Sequence, residues 1–210
     1  HMKKPNVLLL NGSPHQYGCT HTALNEVAGA LESCGVETEI FWLGQDPLAG
    51  CLGCGACGRL GKCVLDDVVN AAAEKARACD GLVVGSPVHY AAASGQITSA
   101  LDRLFRSAGG ALRLKPAAAL ASARRAGTTA TLDQLHKYFT ISKMPVVSSR
   151  YWNMIHGNTP EEVRRDEEGM AVMRTLGRNM AWLLRSIQAG REAGLTPPEE
   201  EPPVKTNFIR

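Results

Sequence analysis

Four cysteines lie close together in one glycine-rich segment of the chain. They are Cys51, Cys54, Cys57 and Cys63, and their spacing is C-x2-C-x2-C-x5-C. The glycines between them let the backbone turn so that several thiolates face one point, as an iron–sulfur cluster requires. Two-residue spacings are also typical of zinc sites, and a packed loop of free thiols is the remaining alternative. The segment therefore predicts a metal centre, with the cluster as the first hypothesis.

A loop rich in glycine and hydroxyl groups follows the first apolar run, residues 6–11. It places Ser13, Gly18, Thr20 and Thr22 before or at the start of an apolar helix. Orphan backbone N–H groups and the helix dipole favour an anion at such a helix start. The loop has neither a Walker lysine nor a G-x-G-x-x-G pattern, so it suits the single phosphate of FMN. Taken alone, it is also compatible with a simple turn and helix cap.

Two further polar loops follow later apolar runs. Residues 85–90 read Gly-Ser-Pro-Val-His-Tyr, and residues 121–129 read Ala-Ser-Ala-Arg-Arg-Ala-Gly-Thr-Thr. The carboxyl ends of parallel strands meet at one edge of an open α/β sheet, where ligands bind. We therefore expect all three loops to converge on one site.

The elements that position these loops alternate along the chain. Apolar runs predict strands at residues 6–11, 36–43, 81–85, 117–121 and 144–148, and helical spacing predicts helices at 20–34, 67–78, 94–107, 128–142 and 160–189. This alternation predicts an α/β fold with a five-stranded parallel sheet covered by helices on both faces, a three-layer sandwich. Residues 3–194 are predicted to form this FMN-binding domain. The tail, residues 195–210, is rich in proline and glutamate and is predicted to be extended.

Three of these motifs resemble a known family. Asn11-Gly12-Ser13-Pro14, the segment from Gly85 to Tyr90, and Ser94-Gly95-Gln96 with Leu101-Asp102-Arg103 resemble the NADPH-dependent FMN reductase and iron–sulfur flavoprotein group of flavodoxin-like proteins. The resemblance covers nearly the whole chain. It implies a flavodoxin-like sheet with the strand order 2-1-3-4-5.

The resemblance also implies roles for individual residues. The phosphate side of FMN would be held by Ser13, His15, Gly18, Cys19 and Thr20. The isoalloxazine ring would lie beside Pro87, Val88, His89 and Tyr90, with Ser122, Ala123, Arg124, Arg125 and Gly127 opposite or beneath it. A planar ring needs a narrow slot with backbone donors, which such loops supply. Arg124 and Arg125 would stabilise anionic reduced flavin or, alternatively, form a solvated basic loop.

Two functions follow from the resemblance. In the first, NAD(P)H reduces FMN and a small-molecule acceptor, such as a quinone, a nitro compound or a flavin, then takes the electrons. In the second, a [4Fe-4S] cluster held by the four cysteines relays electrons from ferredoxin to FMN. The flavin carries the chemistry in both, so no catalytic acid or base is assigned to the protein. A non-catalytic flavin sensor is a third, less favoured alternative.

Composition narrows the partners and the location. A net charge of +3 and 5% aromatic residues provide neither a basic stripe nor stacking platforms for nucleic acid. No apolar run approaches the roughly 18 residues of a membrane span. Seven cysteines, four of them clustered, are unlike a secreted disulfide framework. We therefore expect a cytoplasmic protein that binds neither nucleic acid nor membranes. An apolar stripe between Met170 and Ile187 predicts core or subunit interface, and hence a homodimer or homotetramer.

Overall fold

The apolar runs of the sequence form the central sheet. In the computed structural model, which describes residues 4–208, the strands are β1 (Asn6–Asn11), β2 (Glu37–Trp42), β3 (Gly81–His89), β4 (Ala92–Ala93), β5 (Ala117–Ala123) and β6 (Met154–His156). Their order across the sheet is β2-β1-β3-β5-β6, and the two-residue strand β4 pairs antiparallel with β3. The five parallel strands therefore lie in the predicted order, and β4 is an addition that the sequence did not predict.

Helices cover both faces of this sheet. They are α1 (Cys19–Ser33), α2 (Cys57–Leu60), α3 (Val68–Ala78), α4 (Gly95–Ala108), α5 (Thr128–Ile141), α6 (Pro160–Arg165) and α7 (Glu167–Glu192), with a 3-10 turn at Gly109–Leu112. Side chains alternate between the faces of a strand. Thus Val7 and Leu9 of β1 pack with α1 and α7, whereas Leu8 and Leu10 pack with α3, α4 and α5. The predicted three-layer sandwich is confirmed.

The fifth parallel strand is not where the sequence predicted it. Residues 144–148 were expected to form it, but the strand is β6, about ten residues later. Val146 makes one isolated parallel bridge to Ala117 of β5, and the regular ladder resumes at Met154, which pairs with Ala121.

The interruption has a local cause at the outer edge of β5. Pro145 has no N–H to donate to a continuous ladder. Further along the edge, Asn153 replaces a strand residue: its side-chain amide donates to the Ala119 carbonyl at 2.9 Å, and its backbone carbonyl accepts from the Ala121 N–H at 2.9 Å. The edge of β5 is therefore completed by two separate segments and one side chain.

The C-terminal helix predicted at residues 160–189 is divided at Asp166. The Asp166 carboxylate accepts from the Gly169 N–H at 2.9 Å and caps α7, and it also accepts from the His156 N–H of β6 at 2.8 Å. Beyond the break, Met173, Leu176, Met180 and Leu184 are buried in the core shared with α1. No helix within residues 4–208 is both long and apolar enough to cross a membrane.

Candidate functional site

The loops after β1, β3 and β5 lie side by side at the carboxyl edge of the sheet. Asn11 at the end of β1 pairs with Gly85, and Pro87 pairs with Ser122 at the end of β5. The Gly12 N–H donates to the Gly85 carbonyl at 2.9 Å, which ties the first loop to β3. The three loops selected from the sequence are therefore brought together.

Buried polar contacts fix the first loop. The Asn11 side chain accepts from the Ser13 N–H at 3.1 Å and donates to the Gln16 carbonyl at 3.0 Å. The Ser13 hydroxyl, which is buried, accepts from the N–H of His15 at 3.1 Å. The indole of Trp42, which sequence reasoning did not include, donates to the Ser13 carbonyl at 2.8 Å. The Ser13 hydroxyl thus shapes the loop, and the His15 side chain is exposed.

Helix α1 begins without a side-chain cap directly after this loop. Gly18 occupies the cap position, where an added Cβ would stand 2.9 Å from the Cβ of His15. The first bond of the helix runs from the Thr22 N–H to the Gly18 carbonyl at 3.0 Å. The N–H groups of Cys19 and Thr20 precede that bond and lack an intrahelical acceptor, as is general at a helix start. Such N–H groups at a helix start, together with the helix dipole, would stabilise an anion.

One hydroxyl pair joins the first loop to the loop after β5. Thr20 is 1% exposed, and its hydroxyl lies 2.8 Å from that of Ser122, which is also buried. The thiol of Cys19, in contrast, faces the Gly157 carbonyl at 3.7 Å, and burial raises the pKa of this thiol. Cys19 would therefore face a phosphate with its backbone N–H and not with its sulfur.

The β3–β4 hairpin has a strained tip. His89 pairs with Ala92, and the two residues between them, Tyr90 and Ala91, have φ of 50° and 58°. Two-residue turns of this kind favour asparagine and glycine, because bulky side chains are disfavoured at positive φ. Tyr90 is nevertheless fully exposed, so core packing does not account for its position. Such an outlier at the edge where open α/β sheets generally bind ligands supports a functional role.

The loop after β5 packs directly on this hairpin. Gly127 has φ of 93°, and an added Cβ would stand 2.6 Å from the Ala91 Cα and 2.8 Å from Val88. Arg124 and Arg125, earlier in the loop, are both exposed. The remaining residues assigned to the ring side are the half-buried Pro87, the exposed His89 and the buried Ala123.

The four clustered cysteines form a second site. All four line one pocket, together with Arg103 and Arg106 of α4. Cys51 and Cys54 are exposed, Cys57 and Cys63 are half-buried, and all are free thiols. The glycines flanking Cys54 have φ of 66° and 69°, which fits the turning backbone expected from the sequence.

The arrangement of these thiols bears on the metal that they could hold. Among residues 4–208, no three His, Cys, Asp or Glu side chains are grouped closely enough to bind a metal ion. The zinc alternative therefore gains no support. The four thiols do line one pocket, and a cluster with four cysteine ligands would need all of them there.

The sequence predicted no role for Arg103, although the residue lies in one of the motifs that carry the family resemblance. The side chain is fully buried and hydrogen-bonded to Cys63. A lone arginine in an amphipathic helix gives no signal of burial, because its partners lie about 40 residues earlier in the chain.

Comparisons with known proteins agree with this geometry. The sequence model of the NADPH-dependent FMN reductase family matches residues 5–159. An iron–sulfur flavoprotein of Methanocaldococcus jannaschii is 32% identical over 196 residues, covering 87% of this chain and 98% of that protein. The structure of RosB with bound 8-demethyl-8-formylriboflavin-5'-phosphate superposes with a TM-score of 0.71 at 18% identity, over 98% of this chain and 94% of that one. A WrbA-like flavodoxin protein from Agrobacterium tumefaciens gives 0.61 at 15% identity, over 88% and 99%. The structural matches show a flavodoxin-like fold.

Proposed function

The chain belongs to the NADPH-dependent FMN reductase family, and we propose that it is an FMN oxidoreductase that exchanges electrons between FMN and an iron–sulfur cluster. The observation that carries the cluster is the pocket lined by all four cysteines. The relative named an iron–sulfur flavoprotein, alike over nearly its whole length, supports the same proposal.

The carboxyl edge of the sheet fits FMN. The N–H groups at the start of α1 would bind the phosphate, and Gly18 lets His15 pack closely against the backbone before this helix. The hairpin and Gly127 would flank the ring, with Tyr90 and Arg124 at its exposed side. FMN supplies one- and two-electron redox chemistry when bound, and the loops bind, orient and shield it.

The second site would hold the cluster through thiolates of Cys51, Cys54, Cys57 and Cys63. The two sites share α4. Ser94 caps this helix and donates to the Gly12 carbonyl of the first loop at 2.8 Å. Arg103, in the cysteine pocket, lies nine residues further along the helix, or about 14 Å at the usual rise per residue. One rigid helix would thus fix the spacing of the two redox groups.

An NAD(P)H-dependent reductase without a cluster is the second candidate. The observation that favours it is the strained hairpin, which presents Tyr90 to solvent where a nicotinamide or a small acceptor could stack on the flavin. A quinone, a nitro compound or a free flavin would then accept electrons. On the first candidate, ferredoxin is the expected partner. The seven free thiols fit a cytoplasmic location in either case.

Iron and flavin contents separate the candidates. Protein prepared without oxygen and supplied with iron and sulfide should contain about four irons per cluster site and one FMN. Reduced ferredoxin should reduce its flavin, and NADPH should do so poorly. Absence of stoichiometric iron together with rapid reduction by NADPH would establish the second candidate instead.

Single cysteine substitutions test whether the four thiols act as one unit. Replacing any one of the four with alanine should remove most of the iron while FMN remains bound. The matched control is Cys34→Ala, a half-buried cysteine at the end of α1. Equal iron loss in the control would show that the binding is unspecific.

A further inference from the structure

Arg103 is the largest of the fully buried side chains among residues 4–208, with 1% of its surface exposed. A buried guanidinium is costly unless it is paired and its donors are satisfied. Arginine carries five N–H donors in a fixed planar arrangement. The partners of those donors therefore indicate what the side chain does.

Every one of the five donors has an acceptor. Two go to the Asp67 carboxylate, Nη1 to Oδ2 at 2.7 Å and Nη2 to Oδ1 at 2.8 Å. One goes to the Ala49 carbonyl at 3.3 Å and one to the Leu65 carbonyl at 2.9 Å. The fifth, on Nε, points at the sulfur of Cys63 at 3.3 Å.

These acceptors lie at the two ends of the cysteine segment. Ala49 precedes the first cysteine, and Leu65 and Asp67 follow Cys63. Asp67 is itself fixed, because it caps α3 by accepting from the Val69 N–H at 3.0 Å. One side chain of α4 therefore fastens both ends of the loop and also contacts one of its thiols.

We propose that Arg103 is a positioning residue for the iron–sulfur site, which closes the cysteine loop and donates a hydrogen bond from Nε to the Cys63 sulfur. This inference rests on the proposed cluster. Asp67 balances the guanidinium charge, so the directed N–H dipole acts on the sulfur more than a net charge does. A donor to a ligating sulfur stabilises the more negative, reduced cluster and raises its reduction potential.

Lysine cannot replace this arginine. Its ammonium is a compact charge with three donors and no planar fork, so it cannot reach the five acceptors together. Arg103→Lys retains the charge but removes the Nε donor. The matched control is Arg174→Lys, because Arg174 of α7 pairs with Glu26 of α1 at 2.6 Å, on the face of the sheet opposite α4 and the four clustered cysteines.

The test measures iron retention and cluster potential in anaerobically reconstituted protein with FMN bound. Loss of one hydrogen bond to a charged group changes an equilibrium constant by roughly tenfold to hundredfold. We therefore expect Arg103→Lys to lose iron to a chelator at least about tenfold faster than the wild type, and its cluster to have a more negative midpoint potential. Flavin content and the circular dichroism spectrum should be unchanged, and Arg174→Lys should match the wild type in all four measurements.

The remaining outcomes distinguish failure of the inference from failure of the proposed function. Iron loss and potential equal to the wild type in folded Arg103→Lys would overturn the inference and leave the proposed function standing. No iron in the wild type would overturn the proposed function, and the inference with it. If Arg103→Lys does not fold, Asp67→Asn decides, because it weakens the clamp and keeps Nε–H: faster iron loss supports the inference, and unchanged loss overturns it.

Discussion

The buried hydroxyl pair of Thr20 and Ser122 connects the loops after β1 and β5 at the proposed FMN site. Thr20→Val removes one partner, leaves the Ser122 hydroxyl unpaired, and takes a polar group from the phosphate side. We expect FMN binding to weaken by about 1–3 kcal/mol, the usual effect of such a loss. Fluorescence titration of the apoprotein with FMN measures it.

The control for Thr20→Val is Thr140→Val, a helical threonine near the end of α5 whose hydroxyl donates to the His136 carbonyl. Its FMN affinity should equal that of the wild type. An unchanged affinity in Thr20→Val would remove Thr20 from the site.

Tyr90 is expected to affect stability and flavin binding in opposite directions. Asparagine tolerates positive φ better than tyrosine. Tyr90→Asn should therefore increase the free energy of unfolding by about 1 kcal/mol, the lower end of the usual strain at such a residue. The same change removes the ring and should weaken FMN binding, whereas Tyr90→Phe should preserve binding. Denaturant unfolding measures the stability of both variants, and flavin titration measures their FMN affinity. A Tyr90→Asn protein with full flavin affinity would contradict a role of the Tyr90 ring in FMN binding.

At the scale of residues, the sequence predicts which loops lie together when the strand topology alone determines it. That the loops of Ser13, Thr20 and Ser122 lie side by side could be predicted, because parallel strands bring their carboxyl ends together. Trp42 and Arg103 could not, because each acts through a contact between distant parts of the chain that no local pattern marks.

At the scale of elements, Gly127 shows why the loop after β5 needs a glycine. Gly127→Ala would add strain at φ 93° and a contact of 2.6 Å with the Ala91 backbone. We expect a loss of more than about 1 kcal/mol in the free energy of unfolding, together with weaker FMN binding. Gly29→Ala is the matched control, because an added Cβ meets nothing within 4 Å in the middle of α1. That change should stabilise the protein by about 0.5–1 kcal/mol, and a loss of the same size in both variants would refute the explanation.

The elements themselves were largely predictable, and the misplaced fifth strand and the undivided last helix have physical causes. The run at residues 144–148 is apolar enough for a strand, but Pro145 and the Asn153 side chain divide the edge of β5. The helical pattern from 160 onward is continuous in apolar spacing, but Asp166 bonds both α7 and β6. In each case a polar contact with another element overrides a local pattern.

At the scale of the molecule, the domain and its tail are held by different kinds of contact. Helix α7 buries Met180 and Leu184 against the sheet, whereas residues 195–208 are exposed and form neither helix nor strand. Glu200 in this segment pairs with Arg113 and Lys143. Exposed ion pairs are screened by salt and contribute little to stability. The predicted domain boundary at Gly194 can therefore be tested by removing the residues beyond it.

A chain truncated after Gly194 should fold and bind FMN as the full chain does. Its thermal unfolding midpoint should stay close to that of the full chain, and any difference should shrink as salt is raised, because the Glu200 ion pairs are exposed and screened by salt. Truncation after Gly177 is the contrasting variant, since it removes Met180 and Leu184 from the core and should prevent stable folding. Differential scanning calorimetry with flavin analysis compares the three chains. A large, salt-independent loss in the first variant would show that residues beyond Gly194 belong to the domain, and a change of its mass in solution would place them at the predicted dimer interface.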